Sequence, residues 1–154
     1  MVYAVVRVRG TIKIKPDIKK TLRFLRLNKV NHCVLIVEND VYKGMLQTAK
    51  DYVTWGELSK DMVSKLITAR GMLIGDKPVT EDHVKTSTSY KTIETLSEAI
   101  SGGKFPYKEI PEIKPVFRLH PPKNGYEGIK RSYPNGGALG YRGKEINKLI
   151  ERML

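Results

Sequence analysis

The chain has 154 residues, of which 40% are hydrophobic, and a formal net charge of +12 at pH 7. This length suits one compact domain, or a small core domain with an extension, and leaves little room for two full domains. Because no apolar run reaches the roughly eighteen residues of a membrane span, and one cysteine cannot form an internal disulfide, we expect a cytoplasmic protein with no membrane partner.

The first third of the chain alternates predicted strands and helices. Residues 2–9 alternate between an apolar face and a face that carries Arg7 and Arg9, which is typical of a strand. After a short loop, proline and aspartate at positions 16 and 17 favour the start of a helix, which the apolar spacing extends to about Leu27.

A second strand and a second helix follow. The strand, Cys33–Val37, is apolar on both faces, so both sides of its sheet must be covered, and its cysteine is expected to be a small buried hydrophobe. Asp40 is the expected N-cap of the helix, and residues 52–58 predict a third strand. The order β-α-β-α-β predicts an α+β fold with a core domain at residues 1–58.

Residues 59–154 form a predicted, mostly helical extension. Short helices are expected within 59–103, capped by Ser59, Thr80 and Ser89. A short strand near 114–120, a glycine-rich loop at 121–144 and a final amphipathic helix at 144–154 complete the chain. We expect either the strand segment or the final helix to return and cover the second face of the sheet, which would anchor both ends of the loop.

The positive charge is concentrated at the two ends of the chain. Residues 1–31 hold nine Lys and Arg against one acid, and residues 114–154 hold nine against three, whereas the middle is close to neutral. Such segregation favours a polyanionic partner that exchanges its counterions for basic side chains. Neither end shows the amphipathic helix of a membrane-surface protein, so nucleic acid is the preferred partner.

The helix after the first loop carries Lys19, Arg23 and Arg26 on one face. Taken alone, such a stripe is more often a solvated surface than a binding site. Here Arg7, Arg9, Lys13 and Lys15 adjoin it in the preceding strand and loop. Together, these residues predict a continuous basic surface.

The glycine-rich segment has six glycines, three tyrosines and five basic residues against one acid. Glycine lets a backbone approach a phosphate chain closely, and tyrosine can stack on bases or ribose. A floppy surface loop explains the composition equally well. The apolar Ile129 and Leu139 and the strong helix after the segment favour a loop that becomes ordered on a partner.

No motif predicts catalysis. The three histidines lack partners at metal-ligand spacing, and the Gly-Lys at 143–144 lacks the remaining residues of a phosphate-binding loop. We therefore predict no catalytic residue, no metal site, no cofactor and no small-molecule substrate. Trp55 is expected to be a packing residue rather than a platform for base stacking.

The stretch RGTIKIKPDIKKTLRFLRLNKVNHCVLIVENDVYKGMLQ resembles a large-subunit ribosomal protein family, numbered thirty in bacteria and archaea and seven in eukaryotes. The resemblance continues through YVTWGELS and TARGMLIGDKP to FRLHPPKNGYEGIKRSYPNGGALGYRGKEINKLIERML, and so covers essentially the whole chain. It implies a three-stranded antiparallel sheet, ferredoxin-like in part, with two helices on one face. The length matches the archaeal form, and the basic composition argues against a halophilic source.

The resemblance implies a structural constituent of the large ribosomal subunit that binds 23S ribosomal RNA, with 5S ribosomal RNA as a second candidate, beside neighbouring subunit proteins. A free RNA- or DNA-binding regulator and an RNA-acting enzyme are the alternatives, and we expect no enzyme. The candidate RNA-binding residues, from the charge pattern and the resemblance together, are Arg7, Arg9, Lys13, Lys15, Lys19, Lys20, Arg23, Arg26, Lys123, Lys130, Arg131, Tyr133, Arg142 and Lys144.

Overall fold

The computed structural model describes residues 1–154 and contains one mixed sheet with helices on both faces. The strands are β1 (Val2–Arg7), β2 (His32–Val37), β3 (Val53–Glu57), β4 (Val116–Arg118), β5 (Gly128–Ser132) and β6 (Gly137–Tyr141). The helices are α1 (Pro16–Phe24), α2 (Asp40–Ala49), α3 (Lys60–Arg70), α4 (Glu81–Ser87), α5 (Ile93–Ser101) and α6 (Ile146–Met153). None of them has the length and apolar character that a membrane crossing requires.

The centre of the sheet is the expected antiparallel β-α-β-α-β unit. Val5 of β1 pairs with Val34 of β2 on one side and with Trp55 of β3 on the other. Helices α1 and α2 pack on one face, where a cluster of ten buried residues includes Leu22 and Leu46. The α+β class is thus confirmed. The sheet has six strands rather than three, in the order β4-β2-β1-β3-β6-β5.

The second face of the sheet is covered by the extension. A single cluster of 23 buried residues joins Val2, Ala4 and Val6 to the apolar sides of α3, α5 and α6. The final helix therefore provides the expected cover, whereas the segment around Phe117 becomes edge strand β4 beside β2. The predicted division at residue 58 stays a prediction. Both parts contribute strands to the sheet and side chains to the large cluster.

The glycine-rich segment differs most from its prediction, because it forms β5 and β6 instead of a loop. Strand β6 lies parallel to β3, and Thr54 pairs with Gly140. At Gly137 an added Cβ would lie 2.0 Å from the carbonyl oxygen of Arg131, so only glycine permits this approach of β5 and β6. A strand built on glycines has no side-chain alternation, which is why its pattern was not visible in the sequence.

Three helix boundaries also differ from their predictions. Helix α1 ends at Phe24 rather than Leu27, and Arg26 just after it adopts a left-handed φ of +63°. The N-cap of α2 is Asn39, whose side chain accepts a hydrogen bond from the amide of Tyr42, rather than Asp40. The cap of α5 is Thr92, not Ser89.

Candidate nucleic-acid interface

The end of β1, where the N-terminal basic loop (residues 10–15) begins, meets the glycine-rich segment (residues 121–144) at one end of the sheet. Val8, just beyond β1, packs with Ala138 and Leu139 of β6 in a small buried cluster. Close by, the hydroxyl of Tyr126 donates a hydrogen bond to Oδ1 of Asn31 at 2.6 Å. Val8 and Ala138 are 130 positions apart in sequence, and Tyr126 and Asn31 are 95 positions apart, so distant parts of the chain are held side by side.

Most of the candidate cations are exposed and have no acidic partner. They lie in the basic loop, in or just after α1, and in the glycine-rich segment. None of them lies within 4.0 Å of a carboxylate oxygen, the distance that defines an ion pair. These side chains are Lys13, Lys15, Lys19, Lys20, Arg23, Arg26, Lys123, Lys130 and Arg131.

Some cations elsewhere in the chain do have acidic partners. Lys43 pairs with Glu38 at 2.9 Å, and Lys60 pairs with Glu98 at 2.7 Å. A single carboxylate, on Asp76, pairs with both Lys114 and Arg118. Seven of the ten cations at residues 32–113 are also unpaired, but twelve acids accompany them in that range, so it is the net positive charge that is concentrated at the two ends of the chain.

Two candidate residues, Arg7 and Arg142, lie in the interior, with 2% and 5% of their surfaces exposed. The guanidinium of Arg7 donates hydrogen bonds to the backbone carbonyls of Arg9 and Leu27, at 2.9 and 2.7 Å. Burial lowers the pKa of Arg7 because the charged form loses its hydration. Neither guanidinium is open to a phosphate, so this placement disfavours the predicted direct contact and indicates a structural role.

Arg142 holds the glycine-rich segment against β3. Its Nε donates to Oγ1 of Thr54 at 2.8 Å, and a terminal nitrogen donates to the carbonyl of Ala138 at 2.9 Å. The carboxylate of Glu127 lies 3.5 Å from the same guanidinium, and the ring of Tyr133 lies 4.9 Å from its central carbon. Burial lowers the pKa of Arg142, and Glu127 partly offsets this effect. Half-buried Tyr133 thus has one ring face already occupied.

The remaining two candidates differ from the exposed set, Arg9 in its burial and Lys144 in its position. Arg9 is half-buried, with its guanidinium 5.1 Å from the ring centre of Tyr52. Lys144 is exposed, but it lines a groove with Met1 and Glu57 near the opposite end of the sheet. Lys144 therefore lies away from the end of the sheet at which Val8 meets Ala138 and Leu139.

The structure also adds two cations that were not among the candidates. Lys29 is exposed and unpaired in the turn before β2. Arg118 of β4, which is ion-paired with Asp76, lies opposite His32 of β2. Burial, followed by the positive charges of Lys29, Arg118 and Arg7, lowers the pKa of His32. The only feature of the sequence that could have identified Lys29 as a candidate is its place in the basic range of residues 1–31. No three acidic, histidine or cysteine side chains converge as metal ligands would.

Fold and charge together define a class of protein: a small α+β protein whose net positive charge lies in its two terminal segments, as found in proteins that bind RNA. The sequence profile described as ribosomal protein L30p/L7e matches residues 3–53. The chain is 49% identical to large ribosomal subunit protein uL30 of Methanocorpusculum labreanum, over 98% of this chain and 99% of the relative.

Two further relatives with the same name cover the same shares of both chains. The protein of Archaeoglobus fulgidus is 48% identical over 98% of this chain and 99% of its own length. The protein of Methanocella arvoryzae is 46% identical over 98% and 99%. The chain belongs to the ribosomal protein L30p/L7e family. The resemblance drawn from the sequence is confirmed, including its archaeal long form.

Proposed function

We propose that this protein is a structural constituent of the large ribosomal subunit and that it binds ribosomal RNA through the basic end of its sheet. The observation that carries the proposal is the excess of exposed lysines and arginines in the two terminal parts of the chain, which the contact of Val8 with Ala138 and Leu139 joins. Each such side chain that neutralises a phosphate releases a condensed counterion, which is the main source of affinity for RNA. The names of the relatives support the same assembly.

The proposed RNA is 23S ribosomal RNA, with 5S ribosomal RNA as a second candidate. Exposed lysines on the loop before α1 and on β5 would contact phosphates, whereas Arg7 and Arg142 would hold the backbone behind them. Membership of a ribosomal protein family supports binding without turnover, and the proposed role is therefore not enzymatic. In the cell this places the protein in the cytoplasm, within the large subunit.

Co-sedimentation tests the proposal. In high-magnesium gradients of a lysate, the protein should sediment with large subunits and leave them only when the salt is raised. Binding of the purified protein to 23S and 5S ribosomal RNA should weaken steeply with salt, by about one unit of log-log slope per phosphate contact. A free regulatory protein would instead stay at the top of the gradient, and that result would contradict the proposal.

A further inference from the structure

The outer edge of β2 is open over its last three residues. Strand β4 pairs only with positions 32–34 of β2, and the next hydrogen-bonded position opposite Leu35 is Pro115. Proline has no N–H to donate, so the ladder ends there. Beyond it, Ile113 bridges to Leu73 instead of continuing beside β2.

The pairing of β1 with β2 shows which backbone groups of β2 are left without partners where the ladder with β4 ends. The amide of Glu38 donates to the carbonyl of Met1, and the amide of Leu119 donates to the carbonyl of Asn31. In an antiparallel ladder every second residue bonds to the same neighbour, so Leu35 and Val37 point their N–H and C=O groups away from β1. None of these four groups hydrogen-bonds to the segments beyond the edge.

A cavity lies on each face of the sheet beside this open edge. One cavity, of about 210 Å³, is lined among others by Val2, Leu35, Val37, Ile100, Phe105 and Tyr107. The other, of about 150 Å³, is lined among others by Phe24, Leu25, Val34, Ile36, Tyr42 and Pro115. We call the open edge of β2 at residues 35–37, together with these two cavities, the edge groove.

Lys108 gives the edge groove its charge. It borders both cavities, and its amine donates to the hydroxyl of Tyr42 at 3.5 Å. Neither Lys108 nor Arg26, which borders the smaller cavity, pairs with a carboxylate, whereas Glu109 is the one acid that borders the larger cavity. An exposed lysine at a sheet edge also discourages pairing with arbitrary strands. A partner strand must therefore carry an acidic side chain at the position that lies beside this lysine.

We propose that the edge groove binds a short extended segment of a neighbouring large-subunit protein, which adds to β2 as a further strand. Because side chains of a strand alternate between its faces, successive apolar side chains of the segment would enter the two cavities in turn. Its backbone would pair with Leu35 and Val37, and an acidic side chain would lie beside Lys108. This inference rests on the proposed function, since it needs the assembled subunit.

Two other occupants fit less well. A second copy of the chain, paired edge to edge, would bring two unpaired Lys108 side chains together. RNA would gain little from a groove lined by aliphatic side chains and amide groups. Both remain distinguishable outcomes of the experiment below.

Site-specific photo-crosslinking in purified large subunits tests the proposal. In one variant p-benzoylphenylalanine replaces Tyr42, which lines both cavities, and in a second it replaces Ile12, which is 86% exposed in the basic loop. The Tyr42 probe should crosslink to an identifiable segment of another subunit protein, and the Ile12 probe to ribosomal RNA. If the Tyr42 probe reaches only RNA, a second copy or nothing while the Ile12 probe reaches RNA, the edge-groove proposal is wrong and the proposed function stands. If neither variant enters subunits, both are wrong.

A synthetic peptide of the crosslinked segment then tests the strand pairing in solution with the full-length protein. Val37→Pro removes the backbone N–H that points outward from the edge. Val37→Ala also loses most of the valine side chain but keeps this N–H. We expect the proline variant to bind the peptide at least about fivefold more weakly than the alanine variant, the loss that corresponds to one hydrogen bond. Equal affinities would overturn strand addition.

The charge is tested in the same assay. Lys108→Glu should weaken peptide binding severalfold, whereas Lys85→Glu, an equal change of net charge at an exposed position of α4, should not. Because Lys108 is exposed, its variant is expected to fold even if a proline at position 37 is not tolerated. Equal effects of the two charge reversals would show that no acidic side chain lies beside Lys108.

Discussion

Arg142 illustrates how a residue of a basic segment can use its charge inside the fold. It joins β3, β6 and Glu127 through hydrogen bonds and an ion pair, and the two residues joined by its Nε, Arg142 and Thr54, are 88 positions apart in sequence. Composition and charge patterns identify it as one more cation of a basic segment. Its burial depends on a long-range contact that only the folded chain creates, and the same holds for Arg7 and the carbonyl of Leu27.

Replacing Arg142 with methionine should therefore destabilise the protein. The methionine keeps most of the volume but leaves the Thr54 hydroxyl and the Ala138 carbonyl without their donor in a buried site. We expect the free energy of unfolding to fall by about 3 kcal/mol. Urea denaturation followed by the fluorescence of Trp55, the only tryptophan, measures this change.

The matched control is Arg131→Met, which removes an equal charge from an exposed position of the same segment. Its free energy of unfolding should change by less than about 0.5 kcal/mol. If the two variants were equally stable, Arg142 would not hold the segment.

Lys13 separates binding from stability at a single position. Its backbone lies in the left-handed region with φ of +53°, which costs an ordinary residue more than it costs glycine. In Lys13→Gly this relief and the greater flexibility of the unfolded chain offset each other, so the free energy of unfolding should change by less than about 1 kcal/mol. The lost charge should reduce the log-log salt slope of RNA binding by about one.

Lys15→Gly is the comparison for this variant. Lys15 has an ordinary φ of −64° at the start of α1, so glycine there relieves no strain while it removes the same charge. It should lower the salt slope similarly but also reduce stability. An unchanged slope in Lys13→Gly would show that this lysine does not contact RNA.

At the scale of elements, prediction succeeded where side chains carry the pattern. Strands β1 to β3 and helix α3 follow from alternation, apolar runs and the Ser59 cap. Strand β6 could not be found in this way, because two of its five residues are glycines, which supply no face, and because its partner β3 is distant in sequence; β5 pairs only with β6. The charge of the segment was readable, but its conformation was not.

Gly56 marks the place where β3 must accept the chain that follows β6. An added Cβ there would lie 1.9 Å from the carbonyl oxygen of Gly143, which is backbone and cannot move aside cheaply. Gly56→Ala should therefore displace residues 142–145 and lower the free energy of unfolding by more than about 2 kcal/mol. Chemical denaturation gives the stability, and amide chemical shifts would locate the disturbance.

Gly44→Ala provides the opposite case. Gly44 lies in α2, and no atom comes within 4 Å of a Cβ added there. Alanine should stabilise this helix by about 0.5–1 kcal/mol. A loss of stability in both variants would mean that the close approach of β3 and Gly143 is not the cause.

At the scale of the whole molecule, the chain is held together by a core that neither half possesses alone. The apolar character of Cys33–Val37 on both faces predicts that something covers the second face, and the structure supplies α3, α5 and α6. The sequence alone left open whether the segment around Phe117 or the final helix would do so. That choice depends on the length and direction of the intervening chain, which no local pattern encodes.

The final helix is thus expected to be as stable as the sheet that it covers. Four apolar side chains of α6 are each no more than 1% exposed and belong to the large cluster: Ile146, Leu149, Ile150 and Met153. Burial of four such side chains contributes roughly 6–12 kcal/mol, which is comparable to the whole stability of a domain this size. A chain that ends at Glu145 should therefore lose cooperative unfolding, whereas removal of Leu154 alone should leave it intact.

Amide hydrogen exchange of the isolated full-length protein provides an independent measurement without truncation. The amides of α6 from Ile150 onward should exchange as slowly as those of β1, because both open only when the common core opens. Fast exchange in α6 beside slow exchange in β1 would show that the helix docks only on the ribosome. In that case the glycine-rich segment would lose its C-terminal anchor in the free protein, and its strands would have to form on RNA.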